Sequence, residues 1–403
     1  MSPSLLVDEL ESTSFSRPTW VEIDLEALRS NLHALQTTLG PAQVLAVVKA
    51  NAYGHGAVPI AHTLLAPSSI PPVSPGRDAR AVDMLGVASV DEGLQLREAG
   101  ISVPILLLSA ILPGEARTAV RNGLLPTVFT REVALALNEA GAAEHRVAEA
   151  HLKIDTGMGR LGVWHQEAAA FYHWLRALPH LRISGIYTHF ACADAPDDAM
   201  TEAQARAFEV ALRECGDLSG MTIHGANSAA ALRYPQARWD MVRPGLTLYG
   251  VSPLREMMPV PVELRPVMTF KSRITHIKTV PAGATVSYGA TWQATQPTRI
   301  ATVPVGYADG YPRRLSNRAK VFINDVCCSV VGRVTMDQIL VDCTHLGVNP
   351  QVGDNVTLFG AGLPVQDVAA WAETIPYEIL CGIAHRVPRV YLHGGAQFKR
   401  SIP

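Results

Sequence analysis

The chain has 403 residues, more than one ordinary hydrophobic core accommodates, so two domains are expected. Hydrophobic residues make up 48% and charged residues 17%, the balance of a soluble globular protein. A formal net charge of -2 with no basic run excludes the electrostatic footprint of a nucleic-acid or anionic-membrane binder.

The N-terminal stretch MSPSLLVDELESTSF lacks the basic start and long apolar run of an export signal, and no later segment is apolar for long enough to span a bilayer. A cytoplasmic protein with no membrane partner is expected. The six cysteines (Cys192, Cys215, Cys327, Cys328, Cys343 and Cys381) form no C-x-x-C pair, which predicts buried reduced thiols. Cys327 and Cys328 are adjacent and in a strand would face opposite sides. The histidines show no paired spacing with carboxylates or cysteines, so no metal site is expected.

In chain order, DLEALRSNLHALQTTLG sets Leu25, Leu28, Leu32 and Leu35 at helical spacing, with Gly40 as a stop. Short apolar runs then alternate with polar-faced helical stretches. The runs that read as strands are Val44–Lys49, Met84–Ala88, Ile105–Leu108, Leu125–Phe129, Ala150–Ile154, Ser184–His189, Met221–Ala226 and Thr247–Gly250. Eight such units over about 250 residues is the arithmetic of a (β/α)8 TIM-like barrel. The proline-rich Leu65–Asp83 is long for a connection and reads as a surface loop without catalytic duty, on the strand N-terminal face. Beyond about residue 262 the texture changes to short β-rich runs split by Gly, Pro and Asn-Asp, a C-terminal all-β domain. The predicted division is 15–262 for the barrel and 263–403 for the β domain, with PVPVELRP (Pro259–Pro266) at the boundary.

The stretch AVVKANAYGHG, Ala46–Gly56, ends its strand on Lys49, at the C-terminal face where barrel enzymes keep their catalysts. A lysine packed among small residues there is a candidate Schiff-base amine. A lone strand-end lysine is more often structural, and the surrounding motifs decide the matter. The string resembles the pyridoxal-phosphate lysine motif of alanine racemases. So do HLKIDTGMGRLGV, YTHFACAD, GANSAA, VRPGLTLYG, VSYGATW, VGYADGYPR, GRVTMDQ and YEILCGI, in the family's order, from about residue 18 to 395. The family's architecture, a (β/α)8 barrel followed by a β domain, matches the reading above.

The resemblance implies pyridoxal 5'-phosphate as cofactor, alanine as substrate, and D-alanine supplied for peptidoglycan. It implies that Lys49 holds the cofactor and acts as base on one face of the substrate, and that Tyr288 acts on the other. Racemisation requires a proton removed on one side and one returned on the other, which two flanking bases satisfy. Tyr288 is implied to come from a partner subunit, making a homodimer with shared active sites. Arg243 is implied to face the ring nitrogen. A guanidinium cannot accept a proton, so it keeps that nitrogen unprotonated and weakens the ring as an electron sink. His189 is implied to stack beside the ring and touch Arg243.

Tyr53, Asn227, Ser228, Gly245, Leu246 and Tyr377 are implied to bind the cofactor, its phosphate lying in the loops after the seventh and eighth strands. NSAA on its own is a sufficient helix start. Arg160 and the Met336 backbone are implied to meet the substrate carboxylate. Tyr307 and Asp337 line the entrance, and Tyr307 and Tyr377 narrow it in favour of a methyl side chain. Lys153, near Arg160, is implied to be carbamylated, becoming an anion that orients the arginine. Two departures stand out: Thr335 where the family often has Cys, and the Leu65–Asp83 insertion. A decarboxylase of the same architecture, a broad-specificity or serine racemase, and a single-barrel cofactor carrier are the alternatives. The first places a carboxylate at the ring nitrogen, the second carries an export signal or changes Tyr377, and the third lacks the β domain.

Overall fold

The computed structural model describes residues 17–66, 82–254, 262–347, 349–393 and 396–401. The chain divides into two compact units: residues 25–267, and the described residues before 25 joined to those from 268 onward. The first strand, β1 (Thr19–Asp24), therefore lies outside the barrel with which residues 15–24 were expected to group. Its edges are used elsewhere: it pairs antiparallel with Met268–Arg273 and parallel with Arg389–His393.

In the unit 25–267 the strands are β2 (Gln43–Val47), β3 (Met84–Val87), β4 (Ile105–Leu107), β5 (Leu125–Val128), β6 (Ala148–Asp155), β7 (Val163–Trp164), β8 (Leu181–Tyr187), β9 (Thr222–Asn227) and β10 (Met241–Arg243). All except β7 join in one parallel sheet in the order β2-β3-β4-β5-β6-β8-β9-β10, and β10 pairs back onto β2. That closure makes the eight-stranded barrel expected from the sequence. β7 is a two-residue side strand on β6.

The eighth strand is the one misplaced by the sequence reading. Thr247–Gly250 is a run of turns, and the strand is Met241–Arg243. Pro244 and Gly245 end it, and Leu248, Tyr249 and Gly250 donate backwards to Gly245, Leu246 and Thr247 carbonyls. The apolar letters of LTLYG mark burial, not extension. The leucine-spaced helix occupies Leu25–Leu39, burying Leu25, Leu28, Leu32, Leu35 and Leu39.

The other unit is built on a ten-stranded sheet of β1, β11 (Met268–Arg273), β12 (His276–Val280), β15 (Thr298–Val303), β16 (Lys320–Ile323), β17 (Val326–Val330), β18 (Ile339–Asp342), β19 (Asn355–Phe359), β20 (Arg389–His393) and β21 (Ala396–Ser401). A separate hairpin pairs β13 (Thr285–Val286) with β14 (Trp292–Gln293). Two short helices, Val365–Trp371 and Pro376–Cys381, complete it. Within β17, Cys327 is exposed and Cys328 buried, as alternation requires, and all six cysteines are free thiols. Most of the proline-rich Leu65–Asp83 segment, and Pro259–Pro261 of the expected boundary, lie outside the described residues. Among the described residues no helix is long and apolar enough to cross a membrane.

Candidate active site

Burial along the barrel strands is nearly continuous, yet polar side chains interrupt it at alternate positions. In β6, His151 and Lys153 alternate with Leu152 and Ile154, and all four are buried. The polar set meets the polar residues of other strands inside the barrel. His151 Nδ1 lies 2.9 Å from His224 Nε2 of β9, and His224 Nδ1 lies 2.8 Å from Arg243 Nη1 of β10. Arg243 Nη2 reaches the carbonyls of Thr188 and Gly225 and His189 Nδ1, at 2.7, 2.8 and 3.2 Å. Gly185 of β8 makes room for this layer, since a Cβ there would fall 2.6 Å from the His151 ring.

The hydrogen bonds fix the protonation pattern. A guanidinium only donates, so His224 Nδ1 accepts, its Nε2 carries the proton, and His151 Nδ1 accepts in turn. Burial, then the Arg243 charge, hold all three histidines neutral: His151 is pushed down to about 4, His189 and His224 well below their ordinary value. Burial also lowers Arg243, to about 10, which leaves it cationic at neutral pH. Tyr187 stacks on His224 at 4.7 Å and 6°. Its hydroxyl pairs at 2.7 Å with Thr127, which itself donates to the Leu107 carbonyl.

Cations dominate the rest of the site. The charges of Arg243, Lys153, Arg160 and Lys49 all act on His189. Lys153 is itself pushed down to about 7, first by burial and then by Arg243, Arg160 and Lys49, against the opposing pull of Asp155. Asp155 accepts from the N–H groups of Gly157 and Gly159 at 2.9 and 3.1 Å, setting the turn that leads to Arg160. Gln204, on the helix Ala199–Cys215, bonds Thr156, the His189 carbonyl and the Ala191 N–H, and so braces the strand ends around His189.

Lys49 opens a turn whose backbone is left-handed. Ala50, Asn51, Ala52 and Tyr53 have φ of 52, 52, 54 and 51°. Such a conformation costs L-residues roughly 1–2 kcal/mol each, and strain of this kind persists only where neighbours over-determine it. Here the neighbours are plain. His55 Nδ1 donates to the Ala52 and Tyr53 carbonyls at 2.9 Å, and Asn51 Oδ1 accepts from Ala57 N–H at 2.8 Å. The turn carries Tyr53 towards Gly245, where a Cβ would lie 2.5 Å from the Tyr53 hydroxyl. Ser228 Oγ accepts from Gly245 N–H at 2.9 Å, and Asn227 caps the six-residue helix Ser228–Arg233 through Ala230 N–H. Gly245 and the buried Leu246 follow β10, so they lie after the eighth strand. Tyr53, Ser228 and Gly245 form a hydroxyl- and amide-lined cradle closed by the absence of a side chain at 245.

The β unit holds the remaining predicted residues. Tyr288 opens the tip between β13 and β14, where Ser287, Gly289 and Ala290 have φ of 63, 73 and 47°. A two-residue strand on either side leaves no room for it in the ladder. Tyr288 is 73% exposed, Met336 53% and Tyr307 44%. The tip is tied by Ser287 Oγ to the Arg333 carbonyl. Tyr307 N–H and Ala308 N–H donate to the carbonyls of Thr335 and Met336, both at 3.0 Å, so the Tyr307 and Met336 turns are one assembly. Gly306 permits it, because a Cβ would sit 2.2 Å from the Thr335 carbonyl. Buried Asp309 underlies the assembly, accepting from Arg17, from Arg386 Nε at 2.7 Å and from Gly306 N–H at 2.9 Å, while Arg386 also grips Asp337. Thr335 Oγ1 bonds both the N–H and the carbonyl of Gln338, a local role for the departure noted in the sequence. Tyr377 is half-buried in the helix Pro376–Cys381.

His151, His224, Tyr187, Thr127, Gln204 and Asp309 were not singled out as site residues from sequence. The available signal was polar residues at alternate positions of otherwise apolar strands, as in HLK and GIYTH.

The chain matches two family models, "Alanine racemase, N-terminal domain" over residues 23–253 and "Alanine racemase, C-terminal domain" over 267–391. It is 43% identical over 381 residues to an alanine racemase of Symbiobacterium thermophilum, covering 93% of this chain and 97% of that one. Among solved structures it is similar to alanine racemase of Clostridium difficile 630, with a TM-score of 0.89 and 36% identity over 96% of this chain and 99% of that one. Alanine racemase of Bacillus anthracis with bound L-Ala-P gives a TM-score of 0.86 and 35% identity, over 97% and 99% of the two chains.

Proposed function

From the premise that the chain belongs to the alanine racemase family and is an isomerase acting on alanine, we propose a two-base mechanism in which Lys49 and Tyr288 serve opposite faces of the substrate. The observation that carries it is buried Arg243 held 3.2 Å from His189, with buried Lys153 close by and the charges of Arg160 and Lys49 felt at the same ring, beside a glycine-walled cradle. This excess of positive charge suits an anionic cofactor and a carboxylate substrate.

Pyridoxal 5'-phosphate fits that donor set, and when bound it supplies the electron sink that acidifies the proton on the substrate α-carbon. Lys49 would hold it covalently, with its phosphate among Tyr53, Asn227, Ser228, Gly245, Leu246 and Tyr377. Arg243, locked as a donor by its own acceptors, offers the ring nitrogen a hydrogen bond and no proton. His189 supports the ring. Arg160 and the Met336 N–H orient the substrate carboxylate, and Tyr307, Asp337 and Tyr377 restrict the approach to a methyl side chain. Lys49 Nζ, as the amine freed when the substrate amine replaces it, would exchange a proton with the α-carbon on one face, and Tyr288 Oη on the other.

The exposure of Tyr288, Tyr307 and Met336 supports a homodimer in which each β unit completes the partner's site. Lys153 is buried among cations and lowered to about 7, so a fraction is neutral and nucleophilic. Its amine would add to carbon dioxide, losing one proton and forming a carbamate that pairs with Arg160. A cytoplasmic enzyme supplying D-alanine for peptidoglycan accords with this chemistry.

The test is to load purified protein with the cofactor, record its absorption, and follow D-alanine formed from L-alanine in wild type and Tyr288→Phe. A lysine-bound cofactor band with D-alanine lost in the variant is expected. Wild type that shows the band yet forms no D-alanine overturns the reading.

A further inference from the structure

Glu92 takes no part in the site described so far. It lies on the helix Val90–Glu98 that follows β3, three residues after the capping Ser89, whose hydroxyl accepts its N–H at 3.3 Å. A glutamate at this place ordinarily turns back to the N–H of the cap itself. Glu92 does something else. Its Oε2 accepts from Ala88 N–H at 2.6 Å, and its Oε1 accepts from Ala50 N–H at 2.7 Å. Ala88 is the first residue beyond β3, and Ala50 follows Lys49 beyond β2. One carboxylate thus ties together the ends of two neighbouring barrel strands.

The Ala50 amide has particular leverage. It shares a rigid peptide plane with the Lys49 carbonyl. It also opens the left-handed run Ala50–Tyr53. Holding that plane restrains the Lys49 backbone torsion on its C-terminal side, while Val48 N–H, donating to the Gly86 carbonyl at 2.9 Å, holds the chain on the other, and together they limit the directions open to the side chain.

We propose that Glu92 is the positioning residue for Lys49, anchoring the Lys49–Ala50 peptide so that the lysine amine enters the site on one trajectory. This rests on the reading of Lys49 as cofactor-holding base. The chemistry is specific to a carboxylate. Two N–H groups converge on the two different oxygens of one side chain, and only a carboxylate presents two acceptor oxygens. A glutamine of the same shape must point its NH2 at one of the two amides and leave that donor unsatisfied.

Glu92→Gln is therefore the discriminating variant, and Glu98→Gln on the exposed side of the same helix is its control. Both are prepared as full-length holoenzyme and compared with wild type by thermal melting, by pH titration of the cofactor absorption, and by kcat and KM for alanine in both directions. For Glu92→Gln the expected result is a folded, cofactor-loaded protein whose kcat falls on the order of tenfold to a hundredfold, the size of effect that a misplaced reacting group produces. KM should change little, and the midpoint of the absorption titration should move. Glu98→Gln should match wild type throughout. Wild-type kcat and an unmoved titration in Glu92→Gln overturn the proposal. If that variant does not fold, amide hydrogen exchange in wild type decides: Ala50 N–H must exchange among the slow amides, and rapid exchange overturns it. A wild type without a cofactor band instead defeats the functional reading, and the exchange result then reports on the anchor alone.

Discussion

Gly245→Ala should weaken cofactor binding through its phosphate, and the cause can be isolated. The backbone at 245 is not left-handed, so alanine meets no torsional penalty there, and space alone decides. The new methyl would lie 2.5 Å from the Tyr53 hydroxyl and 3.1 Å from its Cζ. Tyr53 is buried and packs on Tyr249 with ring centroids 5.0 Å apart, so it has little freedom to retreat. Overpacking of this kind costs about 1–3 kcal/mol. The variant relieves the clash by displacing Tyr53 from the cradle, and binding must bring it back, so a central value of about 2 kcal/mol corresponds to roughly thirtyfold in dissociation constant. The assay is titration of apoprotein with pyridoxal phosphate, followed by absorbance, for wild type, Gly245→Ala, Tyr53→Phe and the double variant. Removing the hydroxyl removes the nearest clash, so the Gly245→Ala penalty should shrink in the Tyr53→Phe background, a coupling that the cycle measures directly. Pyridoxal, which lacks the phosphate, should show a much smaller Gly245→Ala effect. Wild-type affinity in Gly245→Ala, or a penalty undiminished without the hydroxyl, would refute the cradle.

Asp309→Asn should lower stability by about 2 kcal/mol at neutral pH, less than a fully buried pair because Arg17 and Arg386 are partly exposed. Burial alone would raise the Asp309 carboxyl, but its bonds from Arg17, Arg386 and Gly306 outweigh that and hold it below the ordinary range. A lowered carboxyl stabilises above its unfolded value and loses that contribution as pH falls through the folded one, so urea melts of wild type and variant should converge in acid; a gap unchanged at pH 3 contradicts this. Lys153 falls from 10.5 to about 7, so between those values the unfolded chain binds a proton that the native site does not. In carbon-dioxide-free buffer, stability should therefore rise by about 2–3 kcal/mol from pH 7 to 9 relative to Lys153→Met, at up to about 1.4 kcal/mol per unit; parallel profiles would count against it.

Much of the barrel was legible because its strands declare themselves twice, by β-branched apolar letters and by the turn residues that follow. Thr247–Gly250 misled because burial and extension share those letters; only the pairing of Met241 and Val242 with β2 separates them. β1 was grouped with the barrel because sequence order says nothing of which sheet edge is open. The motif strings singled out Lys49, Arg243 and Ser228 as candidates, because their neighbours in sequence are distinctive. The His151–His224–Arg243 chain was not legible, since its members lie 73 and 19 residues apart and meet only after the barrel closes. The left-handed turn after Lys49 was equally hidden, because ANAY contains no glycine to announce it.

The one-way hydrogen bonding of that chain limits how the site can change. Replacing Arg243 by a carboxylate would oblige His224 Nδ1 to donate where it now accepts. If His224 stayed neutral, its Nε2 would become a lone pair facing the lone pair of His151, and His151 would have to shift its own proton to Nδ1. If His224 took a second proton, a cation would lie among Lys153 and Arg160. Exchanging one residue therefore inverts a whole column of donors and acceptors through the barrel axis. A change at position 243 alone is thus felt at both buried histidines, which must change tautomer together.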